Sequence, residues 1–234
     1  MRTYPMSRDR SEALVNDFVR GVYNWMAIGL GLTGFVSYYV STSESMLQLI
    51  FGNAFLLFGL ILVELALVFS LSSMVHRMSS GTATALFVIY SALNGVTLSF
   101  IFLAYTQTSI VSTFFVCAGV FIACSLYGWM TNRDLTSFGS FLMMGLVGIV
   151  LASIINIFMA SSMLNAMITY IGVFVFVGLT AYDTQKLKNM ALTQPAGVDG
   201  AVIRKGTILG ALSLYLDFIN LFLMLLRLFG QSRD

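Results

Sequence analysis

The chain has 234 residues, 58% of them hydrophobic and 9% charged, with a formal net charge of +2 and a mean hydropathy of +0.90. Soluble domains carry about 25% charged residues, so this composition excludes an ordinary water-soluble fold. The small net charge gives no electrostatic case for nucleic acid, and two cysteines provide no disulfide framework.

Residues 1–20 form a polar N-terminal segment in which Arg2, Arg8, Arg10 and Arg20 mix with Pro5, Asp9, Glu12 and Asp17. No apolar core followed by a small-residue cleavage site lies there, so a removed signal peptide is not expected. Crossing a hydrocarbon core of ~30 Å takes about 20 apolar residues per helix. That ruler finds seven candidate spans, at 21–41, 53–74, 82–105, 109–130, 138–160, 163–186 and 206–229. The expected class is therefore an all-α integral membrane protein with one transmembrane domain at 21–230 and a short tail at 231–234. The connections are short except for 189–207. Gln194, Pro195, Gly197, Asp199 and Gly200 there predict a loop.

The basic residues are one-sided. Arg77, with His76, follows the second span, Arg133 follows the fourth, and Lys186, Lys188, Arg204 and Lys205 flank the last connection. The opposite connections, near Ser43, Thr106 and Ser161, have no Lys or Arg. The positive-inside rule then places the N-terminus in the cytoplasm, and an odd number of spans places the C-terminus outside. Trp25, Tyr38, Tyr39, Tyr127 and Trp129 fall near span ends, where amphipathic rings favour the headgroup zone. Cys117 and Cys124, seven apart on one helix face, are read as packing residues.

Within the spans, the charged residues are Glu64, Asp183, Asp217 and Arg227. Arg227 is close enough to an end to snorkel. A carboxylate at a helix centre is costly, about 2.5–3.5 kcal/mol on insertion scales, and such groups usually face the bundle interior or a water-filled path. Asp217 shares a stripe with Gly210, Ser213, Asn220, Met224 and Arg227, at spacings of three and four, while Leu212, Leu216, Ile219, Leu223 and Leu226 occupy the other faces. That stripe is expected to turn inward, either as an ionisable site or as a hydrogen-bonded structural aspartate. Asp183 lies toward the cytoplasmic end of the sixth span, with Thr180 on its face. It reads either as a functional carboxylate or as a group neutralised by Lys186 and Lys188. Counting along straight helices puts it shallower than Asp217 and does not decide whether the two meet. Glu64, in ILVELALVF, is a third candidate. A single histidine and two cysteines make no zinc or haem ligand set. No nucleophile, base and orienting group recur at credible spacing, so enzymatic chemistry is not expected.

AYDTQKL (181–187), followed by LSLYLDFINLFLMLLRLFG (212–230), resembles the Bax inhibitor family, also called the transmembrane Bax inhibitor motif family. NGVTLS (94–99), DLTSFGSFL (134–142) and IINIF (154–158) support the resemblance, which runs from the first span to Gly230 and is closest in kind to bacterial members. It implies six helices packed around a central C-terminal helix, residence in a bacterial plasma (inner) membrane, and activity as a pH-sensitive calcium leak channel. It implies that Asp183 and Asp217 form a hydrogen-bonded pair that senses pH and binds calcium weakly. Glu64 matches a second-helix glutamate of the family and is assigned to the ion path. Arg77 lies about two residues from the position of the family's latch arginine and is the candidate latch.

Two touching carboxylates would share a proton and titrate in coupled steps. Calcium takes six to eight oxygen ligands; two carboxylates supply four at most, so the site would be weak and leak-like. Asn220, Asn156, Thr180 and Ser213 are the expected supporting polar groups. The expected partners are membrane lipid, calcium and protons, with no cofactor. Two rival readings use the same residues: a non-transporting regulator that binds membrane proteases or other membrane proteins, and a proton-coupled calcium exchanger.

Overall fold

The computed structural model of the chain describes residues 8–193 and 199–233. Pro5, Arg2, Gln194, Pro195 and Gly197 lie outside the described residues, as do the side chains of Arg8, Asp9, Arg10 and Glu12. The described residues form α1 (Arg8–Ser41), α2 (Glu44–Phe51), α3 (Ala54–Met74), a 3-10 turn (Val75–Arg77), α4 (Ser80–Leu98), α5 (Ile101–Ala104), α6 (Gln107–Met130), α7 (Thr136–Met159), α8 (Ser162–Leu192) and α9 (Gly200–Phe229). Six helical stretches are long and apolar enough to cross a membrane: Ala54–Arg77, Ser80–Ala104, Gln107–Met130, Thr136–Met159, Ser162–Leu192 and Gly200–Phe229.

Hydrocarbon dictates much of this. Without water, every backbone N–H and C=O must be satisfied inside the segment, which leaves helices as the simplest solution. The helix starts are capped by side chains at the predicted polar breaks. Asn53 Oδ1 accepts the Phe55 and Leu56 N–H groups, Ser79 Oγ accepts that of Thr82, and Thr106 Oγ1 that of Ser109. Hydroxyls inside the spans bond to carbonyls of their own helix. Ser91 donates to Phe87 O, Thr180 to Phe176 O and Thr169 to Asn165 O, at 2.8–2.9 Å. Large apolar side chains are exposed in numbers no soluble protein tolerates. Phe55 is 92% exposed and Phe158 85%.

Three expectations need correction. The polar segment 1–20 is not separate from the first span, because α1 runs unbroken from Arg8. Between Arg8 and Gly21 there is no proline or glycine, and its arginines, alanine and leucine are good helix formers. The loop expected at 189–207 is much shorter. α8 continues to Leu192, and Asp199 starts α9 by accepting the Ala201 N–H on Oδ1 and those of Val202 and Ile203 on its carbonyl. Nor does α9 set a polar face against an apolar surround. Leu212 and Leu226, on the supposed outer faces, are as buried as Gly210 and Asp217. In its most apolar stretch 72% of residues are buried, against 39% or less in the other five stretches.

The chain divides into two compact units. Unit 1 comprises Met1–Ala104 and Asn189–Tyr215. Its tightest crossing joins α1 to α4: Gly29 lies against the Phe87 ring and Ser91, and Gly95 against the Thr33 backbone and Val36. Thr33 donates its one hydroxyl hydrogen to a backbone carbonyl, of Ser91 (2.8 Å) or of Gly29 (2.9 Å). The Tyr215 and Thr33 hydroxyls share a 2.7 Å hydrogen bond, which Tyr215 donates whenever the Thr33 hydrogen is on a carbonyl. The Tyr215 ring is set edge-on to Phe87 and Tyr90, at 5.9 and 5.7 Å.

Unit 2 comprises Tyr105–Lys188 and Leu216–Asp234. Here α8 is approached closely from three sides. Gly128 of α6 faces the Ala181 carbonyl, Gly139 of α7 faces the Tyr182 ring, and Gly172 of α8 lies beside Met224 of α9. The tail is tied down: Thr106 N–H donates to Gln231 O at 3.1 Å, and Gln231 N–H to Ser109 Oγ at 3.0 Å.

A methyl group on Gly128 would run into the Ala181 carbonyl, whereas one on Gly119, in the same helix, would meet open space. Gly128→Ala should therefore lower the stability of the detergent-solubilised protein by about 1–3 kcal/mol. Gly119→Ala should leave it unchanged or slightly raised, and thermal unfolding of the two variants checks the contrast.

Candidate functional site

The two aspartates belong to the same unit, on adjacent strokes of its architecture: Asp183 on α8 and Asp217 on α9. Because α8 runs on to Leu192, Asp183 lies nine residues before the helix end and not at its rim. Asp183 is half-buried, and Asp217 is 6% exposed. The Oδ2 atom of Asp217 is buried with no hydrogen-bond partner among the described residues. The Asp183 carboxylate is near enough to act on it electrostatically, and Lys186 acts on both.

Packing fixes where Asp217 points. Its neighbour Phe218 is gripped by Phe114 and Phe121 of α6, each edge-on with centroids 5.4 Å away. Between these two rings Cys117 directs its thiol at the Phe218 carbonyl, at 3.7 Å. Phe114, Cys117 and Phe121 recur at spacings of three and four, a single face of α6. Rotation of α9 about its axis would break all three contacts.

The α8 side is held from the connection 131–135. Gln185 uses both ends of its carboxamide: Oε1 accepts the Leu135 N–H and Nε2 donates to the Arg133 carbonyl, each at 2.8 Å. Lys188 Nζ donates to the Trp129 carbonyl at 2.7 Å and lies 5.8 Å from the centroid of that ring. Thr184 donates to Ser125 Oγ at 3.4 Å. Of the two lysines expected to neutralise Asp183, Lys188 is thus engaged with α6, and Lys186 is the one whose charge reaches the pair. Sequence reasoning missed Gln185. A glutamine two residues from an aspartate carries no signal until the connection it bonds is placed.

The remaining predicted residues are dispersed. Thr180 is buried and bonded within α8, and Asn220 Nδ2 donates to Leu216 O at 2.8 Å within α9. Asn156 caps the end of α7, accepting the Ser161 N–H at 3.0 Å on its side chain and the Ala160 N–H on its carbonyl. Ala160, at φ 48°, makes the left-handed turn there. Ser213 belongs to unit 1 and is half-buried. Glu64 is also in unit 1, half-buried, with Oε1 2.9 Å from the Thr97 hydroxyl. One α4 face continues this polar line, with Asn94 Nδ2 donating to the Tyr90 hydroxyl at 2.9 Å. Arg77 is exposed on the 3-10 turn of unit 1 and forms no ion pair among the described residues. Both cysteines are free thiols, and the described residues hold no group of three or more His, Cys, Asp or Glu side chains able to bind a metal.

A family model described as "Inhibitor of apoptosis-promoting Bax1" matches residues 15–234, which takes in both aspartates, most of α1 and every later element. The chain belongs to the Bax inhibitor family. Among its relatives, the inner membrane protein YbhL of Escherichia coli K12 is 56% identical over 216 residues, 92% of each chain. An uncharacterised protein of Borreliella burgdorferi is 44% identical over 230 residues, 98% of each chain. Another from Deinococcus radiodurans is 42% identical, covering all of this chain and 98% of its own. The sequence motifs that suggest the Bax inhibitor family therefore identify it correctly.

Two predictions concern the α6–α7 connection. Gln185→Leu leaves the Leu135 N–H and Arg133 carbonyl without their partner, and should cost about 1–3 kcal/mol in detergent unfolding. Asp134 lies outside the spans, and its Oδ1 accepts the Thr136 hydroxyl (2.6 Å) and N–H (2.9 Å). These bonds hold its carboxyl below the usual carboxylate range. A carboxyl depressed by folding stabilises above the unfolded value of about 3.9 and loses that contribution as pH falls through its folded value. Asp134→Asn should flatten this acid limb of an unfolding-versus-pH curve.

Proposed function

We propose that this chain is a pH-responsive calcium leak channel of a bacterial inner membrane, with Asp183 and Asp217 as sensor and ion site. The observation that carries the reading is the buried, unpartnered Oδ2 of Asp217 within electrostatic reach of a second carboxylate. An intramembrane carboxylate is expensive and marks ion or proton pathways by default. Two such groups compete for one proton and titrate as a unit. Protonated, the pair packs as a neutral contact; fully ionised, it repels itself and attracts a divalent cation. Lys186 supplies the nearby counter-charge, and Arg77 is the candidate latch. Glu64, steadied by Thr97, is a second oxygen station on the path, and Asn220, Asn156, Thr180 and Ser213 support the helices that carry these groups.

In the same reading α1 is the first span and brings the six long apolar stretches to seven. Its outward Ile28, Phe35, Tyr38 and Tyr39 are 52–68% exposed, as lipid-facing residues are. The heavy burial of α9 fits a central seventh helix, and the basic connections face the cytoplasm. The inner-membrane assignment rests on the name of the relative from Escherichia coli.

Calcium flux into proteoliposomes, scanned from about pH 5 to 9 to bracket a perturbed carboxylate, tests the proposal. Wild type should leak calcium with a defined pH midpoint. Asp183→Asn and Asp217→Asn, which cannot ionise, should flatten or abolish that dependence while the protein stays folded. Wild-type flux no greater than that of empty vesicles at every pH would sink the channel reading and favour a regulator that acts through a membrane-protein partner. Proton counterflow driven by calcium would point to an exchanger.

A further inference from the structure

One end of unit 1 gathers cations from three elements. α1 and the first turns of α9 lie side by side there: a Cβ on Gly21 would lie 3.1 Å from Thr207, and one on Gly206 would lie 3.4 Å from the Phe18 ring. Arg204 of α9 holds its guanidinium 6.0 Å from the centroid of Trp25 on α1. The next residue, Lys205, donates from Nζ to the His76 carbonyl in the 3-10 turn, at 3.2 Å. Arg77 follows His76 in that turn, and Arg20 precedes Gly21. The side chains of Arg20, His76, Arg77 and Arg204 are exposed.

The way these cations are held sets them apart from charges that only orient a membrane protein. Arg204 rests on an aromatic face and Lys205 on a neutral carbonyl, so each is fixed in place with its full charge unspent. Among the described residues none of Arg20, Arg77, Arg204 and Lys205 forms an ion pair with a carboxylate. Asp17 and Asp199 are the described carboxylates nearest to them in sequence. Asp199 spends Oδ1 on the Ala201 N–H, and Asp17 is exposed. Orientation requires the charges but not their fastening.

The position also discriminates. The cations sit where the apolar runs of α1 and α9 begin, next to a tryptophan of the kind that marks the headgroup level. Ile28, two turns beyond Gly21 along α1, is 52% exposed, a surface an acyl chain would cover and a free ion would not. Basic clusters at this depth recognise anionic headgroups, each cation adding on the order of fivefold in affinity.

We propose that this end of unit 1 binds the phosphate of an anionic lipid headgroup through Arg204, Lys205 and Arg77, with Arg20 at its edge. Native mass spectrometry of the full-length protein in neutral detergent, titrated with short-chain phosphatidylglycerol, tests it. Phosphatidylcholine and inorganic phosphate are the comparison arms. Wild type should retain phosphatidylglycerol in preference to phosphatidylcholine, and inorganic phosphate at equal concentration should not displace it. Arg77→Gln alters only an exposed side chain, so its folding is not at issue, and it should lower the affinity on the order of fivefold. The triple variant Arg77→Gln, Arg204→Gln, Lys205→Gln should lose about a hundredfold. Equal retention of the two lipids, or an unchanged affinity in Arg77→Gln, would overturn the proposal. Displacement by inorganic phosphate would show a free-anion site and overturn the lipid assignment.

Discussion

In hydrocarbon a polar atom has no solvent to fall back on, and the described polar groups inside the apolar stretches are arranged under that constraint. Hydroxyls of Thr33, Ser91, Thr169 and Thr180 bond to carbonyls of their own helices. Asn220 does the same with its amide, and Thr97 satisfies Glu64. Against this background the unpartnered oxygen of Asp217 is an exception, shared only with the Ser37 hydroxyl among the described residues. A serine costs little when left alone. A carboxylate costs far more, and the rest of unit 2 is built so that it cannot turn away.

That orientation is held by small residues and rings rather than by polar bonds. Glycine at 128, 139 and 172 brings α6, α7 and α9 against α8, where dispersion and close backbone contact replace the hydrophobic effect that lipid removes. Phe114 and Phe121 then pin Phe218. Asp217 cannot leave the site by rotation, and its partner α8 cannot drift away while Gln185 and Lys188 bond it to the end of α6 and the connection beyond. Polar bonds and close glycine contacts lie side by side at this end of α8, with Gly128 against Ala181 one residue from the Trp129 carbonyl that Lys188 bonds.

Much of this was legible from residue types and spacing. The spans from the second onward follow from apolar run lengths, and the polar breaks between them supply the caps Asn53, Ser79 and Thr106. The costly carboxylates stand out because so few charges lie in the spans at all. What could not be read is long-range. Gln185 finds Leu135 fifty residues away, and Tyr215 finds Thr33 at a separation of 182. The burial of both faces of α9 is also invisible in its sequence, since leucines facing lipid and leucines facing other helices look alike. Local propensity misplaced two boundaries for a related reason. Charged residues such as Arg20 and Lys188 mark the edge of the bilayer, and the helices ignore that edge.

That last point bears on the site itself. A helix ending at the membrane rim would leave Asp183 near water, where a neighbouring lysine neutralises it cheaply. α8 instead continues nine residues past Asp183, roughly 13.5 Å at 1.5 Å per residue, so the carboxylate lies within the helix and not at its end. The extension also sorts the two lysines. Lys188, five residues on, swings to the end of α6, while Lys186, three residues on, shares the aspartate's face. A single positive charge therefore serves two carboxylates. Under the proposed function, ionising both carboxylates leaves more negative charge than this lysine offsets, which a proton or a cation would balance.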